Sequence, residues 1–312
     1  MRFDPPRGMQ RRMKLNQLRL LAAVANAGSI QKAAHACNIS QPAVSKAIRD
    51  LERELGVDLL ERGASGATLT AYGAIVLKRM AAVEKEIGYI REEIDWLRGE
   101  RGGQVVVGLS PPSAGLGLAA AIARFSIEQP GIGVRLLELR PAQILEGLRT
   151  GSLDIGILHQ YGAGRTLKFD SMLLHSFQTA LVIGGDYPEE RVSMNELARM
   201  SWLAGDMEDD ANGYIEVLVR EAGLSPPPRI VRCTSIGLYL GLARQKGFVS
   251  HWPEPALEHL ESQFRARYIS RLHISGPLPS MGIVLAFREE ALLSPSAATL
   301  LRALRMLEGR DG

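Results

Sequence analysis

The sequence predicts an α/β protein in three parts: a small, mainly helical N-terminal domain, one long helix, and a larger domain of alternating strands and helices. Three observations support this fold class. Short capped amphipathic helices occupy residues 14–56, a regular apolar repeat without proline occupies 71–97, and short apolar runs alternate with helical patterns beyond residue 103.

Composition restricts the class of protein. The chain has 312 residues, of which 46% are hydrophobic and 23% charged, as in folded globular proteins of about two domains. Its two cysteines, Cys37 and Cys233, exclude a disulfide-built scaffold and suit a reducing compartment. The sequence has no apolar run of membrane-spanning length and no signal-peptide core at its start, so we expect a cytoplasmic protein without membrane contact.

Charge is distributed unevenly along the chain. The net charge is +3, but residues 1–80 carry 13 Lys and Arg against 6 Asp and Glu, a net of +7, and the remainder carries a net of −4. A basic N-terminal part is typical of contact with nucleic acid, and chance clustering on a solvated surface is the alternative.

The N-terminal domain has the pattern of two helices followed by a tight turn and a third helix. The first helix ends near Gly28, and Ser29 caps a short second helix. Ser40 caps a third helix, Gln41–Leu55, which has an apolar face and an opposite polar and basic face. Two strand-like runs around a Gly/Ser turn follow. This order predicts a winged helix-turn-helix whose third helix enters the major groove of DNA, and a surface helix hairpin is the alternative.

The same region carries a motif with many fixed offsets. It consists of Ala33-Ala34, Ser40-Gln41-Pro42-Ala43-Val44-Ser45-Lys46-Ala47-Ile48, Leu51-Glu52, Leu55-Gly56, Leu59-Leu60-Glu61-Arg62, Leu69-Thr70 and Gly73. Over residues 14–75 this resembles the N-terminal signature of LysR-type transcriptional regulators. The resemblance implies a winged helix-turn-helix, a long dimerisation helix, and a C-terminal two-lobed α/β effector domain of periplasmic-binding-protein type.

The resemblance also places particular side chains at the DNA. By motif position these are Ser40, Gln41, Pro42, Ala43, Ser45, Lys46, Arg49, Arg62 and Thr70. Glutamine can pair with adenine, and lysine or arginine can reach guanine or phosphate. The chain departs from the family pattern at Leu60, where relatives usually have phenylalanine. It also lacks a basic residue at the wing tip, 63–67, so the sequence offers no phosphate contact there.

The sequence and the resemblance together give a division into domains. They are an extension expected to be disordered (1–13), a winged helix-turn-helix domain (14–70), a dimerisation helix (71–98), a hinge (99–103), lobe I (104–158 with 285–308) and lobe II (159–284). The extension contains several arginines. A basic arm on DNA phosphates, or a true start at Met9 or Met13, are the alternatives to a dispensable segment.

The long helix carries an apolar stripe. Its members, at alternating steps of four and three, are Val76, Met80, Val83, Ile87, Ile90, Ile94 and Leu97. Such a heptad repeat predicts a seam between two chains, and packing on its own domain is the alternative. We therefore expect a homodimer through residues 71–98, and the resemblance implies a homotetramer.

The C-terminal part reads as a parallel α/β fold. Strands are predicted at 104–109, 133–139, 153–158, 179–183, 202–204, 229–233, 247–250 and 283–287. The resemblance suggests that the chain leaves lobe I after Leu158 and returns along 283–288. A ligand is then expected between the lobes, at the carboxyl ends of strands.

Candidate effector-binding residues follow from that placement. They are Ser110, Ser113, Arg140, Gln143, Gln160, Thr234 and Ser235. Helix N-termini and an arginine favour an anionic group, so we expect a small, anionic effector and no resident cofactor or metal. The alternatives are N-capping for each hydroxyl and a surface ion pair for Arg140.

Enzyme motifs are absent from the sequence. There is no Gly-x-Ser-x-Gly elbow, no phosphate-binding loop, and no metal-ligand spacing among the histidines, of which His251 and His259 are expected to be polar surface or capping residues. The sequence thus predicts a ligand-responsive, sequence-specific transcription regulator at the nucleoid, with double-stranded DNA as partner and RNA polymerase as a further candidate. The alternatives are a two-lobed small-molecule-binding protein or enzyme with an N-terminal dimerisation module, and a DNA-binding protein whose α/β domain is a scaffold without ligand.

Overall fold

The computed structural model of the chain describes residues 13–63, 66–114, 117–163, 166–187, 191–207, 212–258 and 269–307. The arginines of the N-terminal extension, the wing tip at 64–65, His259 and residue 308 lie outside these ranges. The chain forms two compact units, Met1–Arg91 with Thr150–Ser152, and Glu92–Arg149 with Leu153–Gly312. Among the helices so described, none is long and apolar enough to cross a membrane.

The first unit has the predicted winged helix-turn-helix. Its elements are α1 (Leu15–Ala27), α2 (Ile30–Ala36), α3 (Gln41–Leu55), the antiparallel strands β1 (Leu60–Gly63) and β2 (Gly66–Leu69), and most of α4 (Ala71–Leu97). Ser29 Oγ accepts a hydrogen bond from the Lys32 N–H at 3.1 Å, which caps α2. Gly28 and Gly56 end α1 and α3 in the left-handed conformation, where glycine carries no steric cost.

A single apolar core holds this unit together. Fully buried side chains from α1 and α3, such as Leu21 and Ile48, meet residues of the wing strands. Met80 and Val76 of α4 also pack on this core. These two positions of the predicted dimer stripe therefore face the protein's own domain, because the first turns of α4 cover the helix-turn-helix. The large apolar side chains that α4 leaves exposed are Tyr72, Ile75, Val83, Ile90, Ile94 and Leu97.

The second unit alternates strands and helices. Its elements are β3 (Gly103–Leu109), a 3-10 turn (Pro111–Ala114), α5 (Leu118–Glu128), β4 (Ile132–Glu138), α6 (Pro141–Thr150), β5 (Ile155–Tyr161), β6 (Asp170–Phe177), β7 (Thr179–Gly184), β8 (Arg191–Ser193), α7 (Met194–Leu197), β9 (Ser201–Ala204), α8 (Tyr214–Ala222), β10 (Arg229–Arg232), α9 (Ile236–Ala243), β11 (Phe248–Pro253), β12 (Ile269–Arg271), β13 (His273–Ser275), β14 (Met281–Phe287), a second 3-10 turn (Glu290–Leu292) and α10 (Pro295–Arg305). The predicted strands are present, and none of their ends is shifted by more than three residues.

Two five-stranded sheets organise these elements among the described residues. One has the order β4-β3-β5-β14-β6 and the other β10-β9-β11-β7-β12. Both are mixed: β3 is parallel to β4 and β5, but β14 is antiparallel to β5 and β6, and β7 is antiparallel to β11 and β12. The prediction of a parallel sheet is therefore wrong for β14 in the first sheet and for β7 in the second.

The lobe boundaries also differ from the prediction. The chain leaves the first sheet along β5 and returns along β14, with Tyr161 paired to Met281, so the two crossovers are as expected. However, β6 lies within the range 159–284 assigned to lobe II, yet it pairs along β14 at the edge of the first sheet. Backbone pairing with β14 thus places residues 170–177 in lobe I.

Candidate functional site

The N-terminal half of α3 presents a polar face to solvent. Gln41, Lys46 and Arg49 are exposed and Ser45 is half-buried, whereas Val44 on the opposite face is fully buried. Pro42 and Ala43 are also exposed. The structure therefore brings seven of the predicted DNA-binding residues, 40–43, 45, 46 and 49, to one end and one face of a helix. Ser40 uses its hydroxyl oxygen as the N-cap, accepting from the Ala43 N–H at 3.4 Å.

The other two predicted DNA contacts have structural roles. Arg62 lies 3.4 Å from a carboxylate oxygen of Glu52, whose other oxygen accepts from the Leu59 N–H at 3.0 Å and the Leu60 N–H at 3.2 Å. The Thr70 hydroxyl donates to the Asp58 carbonyl at 2.7 Å and accepts from the Gly73 N–H at 3.0 Å. Thr70 therefore caps α4. Since a hydroxyl has only one proton and this one is donated to Asp58, Thr70 has no side-chain proton to donate to DNA.

A second candidate site is a cavity of about 630 Å³ in the second unit. It lies where β3, β4, β9 and β10 end, so residues of both lobes line it. The carboxyl ends of strands in open α/β sheets are the usual place for ligands, and this volume is in the range of small-molecule pockets.

Three of the seven predicted effector residues line the cavity: Arg140, Gln143 and Thr234. The Gln143 side-chain oxygen accepts from the Arg140 N–H at 3.0 Å, which caps α6. The hydroxyl of Ser235 caps α9, as its alternative stated, and Ser235 is not among the lining residues. Gln160 is also outside the lining, because side chains alternate along a strand and its neighbours His159 and Tyr161 face the cavity.

Ser110 and Ser113 lie behind the cavity wall rather than in it. Both are buried, with their hydroxyl oxygens 2.8 Å apart. Ser110 Oγ accepts from the His159 backbone N–H at 3.0 Å and lies 2.9 Å from His159 Nδ1. These serines therefore hold the histidine, and the prediction that they touch the ligand is not supported by their position.

A polar network of cavity residues was missed by sequence reasoning. His159 Nε2 from lobe I lies 3.5 Å from Asp206 Oδ1 of lobe II. Asp206 Oδ2 accepts from the Tyr214 N–H at 3.0 Å. The Tyr161 hydroxyl lies 2.8 Å from His251 Nε2, and the His251 ring stacks on Tyr214 with centroids 4.0 Å apart. The feature of the sequence that could have indicated this network is the pair His159 and Tyr161, directly after the strand predicted at 153–158.

Burial and neighbouring groups shift the pKa values of two residues in this network, His251 and Asp206. Burial lowers the pKa of His251 to about 4, so this ring is neutral at pH 7. Burial alone would raise the pKa of Asp206, but the hydrogen bond with His159, the charges of the two histidines and the Tyr214 N–H together hold it below its usual value. The expectation that His251 is a surface or capping residue is wrong, since it is buried within β11, where it pairs with Leu181 of β7.

The contacts from Ser110 to His159 to Asp206 resemble a catalytic triad of nucleophile, base and acid. The serine, however, is fully buried and accepts a backbone N–H. A nucleophilic hydroxyl must be reached by its substrate, which this enclosure prevents. The described residues also contain no cluster of three His, Cys, Asp or Glu side chains arranged to hold a metal ion. The arrangement is suited to positioning side chains around a bound molecule.

The geometry defines a class of protein: a helix-turn-helix DNA-binding domain joined by a long helix to a two-lobed binding domain. Comparison with known families agrees over both parts. Residues 15–74 match the family described as bacterial regulatory helix-turn-helix protein, lysR family, and residues 98–307 match the LysR substrate binding domain. The chain belongs to the LysR family of DNA-binding transcriptional regulators.

Individual relatives are similar over nearly the whole chain. The uncharacterized HTH-type transcriptional regulator YdcI of Escherichia coli (strain K12) is 27% identical over 299 residues, 94% of this chain and 95% of that protein. The regulator GbpR of Azospirillum brasilense is 24% identical, covering 97% of this chain and 89% of its own. Among solved structures, CbnR, a LysR family transcriptional regulator, shares the fold with a TM-score of 0.64 at 21% identity, covering 96% of this chain and all of its own.

Proposed function

We propose that this regulator reads an operator with α3 and changes its action on DNA when a small molecule occupies the cavity between its lobes. The observation that carries the proposal is the exposed polar face of α3, whose opposite face packs into the apolar core of its domain. A helix in this setting, with a proline in its first turn and glutamine and lysine outward, is suited to the major groove. Full-length CbnR has been solved with its target DNA and shares the fold, with a TM-score of 0.62 at 22% identity.

The chain acts, in this proposal, as a homodimer through residues 71–98. The exposed apolar side chains of α4 support the proposal, since two such stripes can cover each other as in a coiled coil. Pairing sets the separation of two recognition helices, so the operator has two related half-sites. Assembly of dimers into a tetramer and contact with RNA polymerase are further parts of the proposal, as is location in the cytoplasm with the nucleoid.

The effector is proposed to be a small molecule with an anionic group at the cavity rim. Arg140 and the N-terminus of α6 lie there on one side, and Thr234 precedes α9 on the other. A carboxylate suits a guanidinium and the partial positive charge of helix N-termini. The proteins similar to this chain are regulators, and in the proposal the cavity binds its ligand without converting it. The ligand shifts the population of lobe arrangements and so the bend imposed on DNA.

The experiment on DNA reading is Lys46→Ala, measured by a mobility-shift titration on the DNA upstream of the protein's own gene at two salt concentrations. If Lys46 reads a base, specific binding weakens by about 1–3 kcal/mol. Lys246→Ala is the matched control, because Lys246 is an exposed lysine of the other compact unit. Equal affinity of the wild type and Lys46→Ala would remove this residue from the interface, and absence of any sequence preference would overturn the DNA-reading proposal.

A further inference from the structure

Asp206 holds a buried carboxylate with incomplete hydrogen bonding. It follows β9 at the cavity floor and is 8% exposed. One oxygen, Oδ2, accepts from the Tyr214 N–H at 3.0 Å. In the part of the chain that the structure describes, the polar partner of Oδ1 is His159 Nε2, at the long separation of 3.5 Å. The carboxylate lacks a short bond at the oxygen that faces lobe I.

The neighbouring charges do not replace that bond. Arg232 donates to the backbone carbonyl of Asp206 at 3.2 Å, but its guanidinium pairs with Glu216 at 2.5 Å. His251 is neutral at pH 7 because burial lowers its pKa to about 4. A carboxylate offers about four acceptor positions, and a buried one is costly unless they are filled.

A second unfilled polar atom lies in the same network. His251 Nδ1 is buried and has no hydrogen-bond partner among the residues that the structure describes, while its Nε2 lies beside the Tyr161 hydroxyl. His251 lines the cavity, as does Asp206. Two buried polar groups without their full partners at one cavity floor indicate that a polar part of a ligand belongs there.

The apolar and aromatic residues of the cavity wall indicate what the rest of such a ligand is like. Tyr239 and Trp252 contribute packed aromatic rings, with centroids 5.3 Å apart, and Ile236 and Met281 contribute apolar surface. Aromatic walls favour a flat or apolar body and tolerate a neighbouring organic cation.

We propose that the effector presents a protonated amine to Asp206 at the cavity floor. An ionised carboxylate forms its strongest hydrogen bonds with a charged donor, and an ammonium group supplies three. This inference rests on the proposed function, because it concerns the same cavity. With the anionic group proposed at the Arg140 rim, it specifies the ligand class as an amino-acid-like zwitterion with an apolar or aromatic body.

Three probes with one aromatic skeleton test the amine: L-phenylalanine, 2-phenylethylamine, which lacks the carboxylate, and 3-phenylpropanoate, which lacks the amine. Binding to the full chain is measured by calorimetric titration at pH 7 up to 20 mM. L-phenylalanine is expected to bind at least about tenfold more tightly than 3-phenylpropanoate, the ratio that one charge-assisted hydrogen bond supplies, and 2-phenylethylamine is expected to bind without a carboxylate. In Asp206→Asn, a substitution of equal size, that preference is expected to disappear.

Asp170→Asn is the matched control, since Asp170 is exposed on β6 and is not among the residues that line the cavity. It should retain the preference for amines. Tighter binding of 3-phenylpropanoate, no binding of either amine, or an unchanged preference in a folded Asp206→Asn would each overturn the inference. If Asp206→Asn does not fold, the wild-type ratio between the probes decides alone. Binding of 3-phenylpropanoate without the amines would leave the cavity's proposed role intact, and the mobility-shift titration tests the DNA function independently.

Discussion

At Gly73, in the first turn of α4, the absence of a side chain is required by packing. A Cβ there would overlap the Leu59 carbonyl oxygen and approach the Leu69 side chain at 2.9 Å. We predict that Gly73→Ala destabilises the winged domain by about 1–3 kcal/mol, because the backbone oxygen cannot move aside without shifting the wing. Urea unfolding followed by circular dichroism measures this loss.

Gly88 provides the control on the same helix. A Cβ at this position meets no atom within 4 Å, and its backbone is helical. Gly88→Ala should leave stability unchanged or raise it by about 0.5–1 kcal/mol through helix propensity. Equal destabilisation by the two substitutions would show that the contact with Leu59 is not the cause.

His251 makes stability depend on pH. In an unfolded chain a histidine titrates near pH 6.5, whereas burial lowers the pKa of folded His251 to about 4. Between these values the unfolded state binds a proton that the folded state does not, so the free energy of unfolding falls as pH falls through this window. Above about pH 7 the residue has no such effect.

The measurement is urea unfolding at pH 7.5 and pH 5.5. The wild type is expected to lose more stability between these two values than His251→Asn, whose side chain does not titrate. The change in unfolding free energy between the two pH values is compared between the two proteins, so any loss that the substitution causes at both pH values cancels. An identical pH response in the two proteins would contradict a buried neutral His251.

Single residues also show what the sequence could and could not predict. The exposed face of α3 follows from helical periodicity, so Gln41, Lys46 and Arg49 were identified correctly as exposed. Ser110 was placed next to the cavity by topology, but whether a hydroxyl faces the ligand or a neighbouring strand depends on β5, which is 45 or more residues away. Asp206 was missed because its chemistry arises from contacts with Tyr214 and His159, and neither is visible in a local pattern.

At the scale of elements, α4 carries the main prediction for assembly. Ile90 is 57% exposed and Ala81 lies on the opposite face of the helix, nine residues earlier. Ile90→Asp is expected to dissociate the dimer, because it places a charge in the apolar stripe, while Ala81→Asp leaves it assembled. Light scattering coupled to size-exclusion chromatography at micromolar concentration gives the mass of each variant.

Two results would contradict the prediction that the stripe on α4 pairs two chains. If wild type and Ile90→Asp have the same monomeric mass, the stripe on α4 does not pair two chains. If both variants dissociate, the effect is due to added charge anywhere on the helix rather than to the stripe.

Helices with strong periodicity were predicted nearly to the residue, whereas the edge strand β6 was missed. The bounds of α3 and α4 match because caps and uninterrupted apolar spacing define them. The edge strand β6 was not predicted, since Asp170–Phe177 mixes polar and apolar residues without regular alternation and only one of its edges is paired. Its place in the first sheet comes from β14, more than 100 residues later, and this distance is why the lobe boundary was misplaced.

At the scale of the whole molecule, the two compact units have separate cores. Ile48 is fully buried in the first and Leu285 in the second. We predict two calorimetric unfolding transitions, one for each unit. Ile48→Ala should lower the midpoint temperature of one transition and Leu285→Ala that of the other. Each substitution is expected to cost its unit about 2–5 kcal/mol of unfolding free energy because of the cavity created. A single transition that both substitutions lower equally would show that the chain unfolds as one cooperative unit.

The bonds of Glu52 have a consequence for how operators are chosen. This side chain projects from α3 and fastens the backbone at Leu59 and Leu60, where the wing begins. These bonds fix the start of the wing relative to α3. We therefore expect a duplex with a different groove width or twist to bind more weakly, even where the altered base pairs are not touched by a side chain.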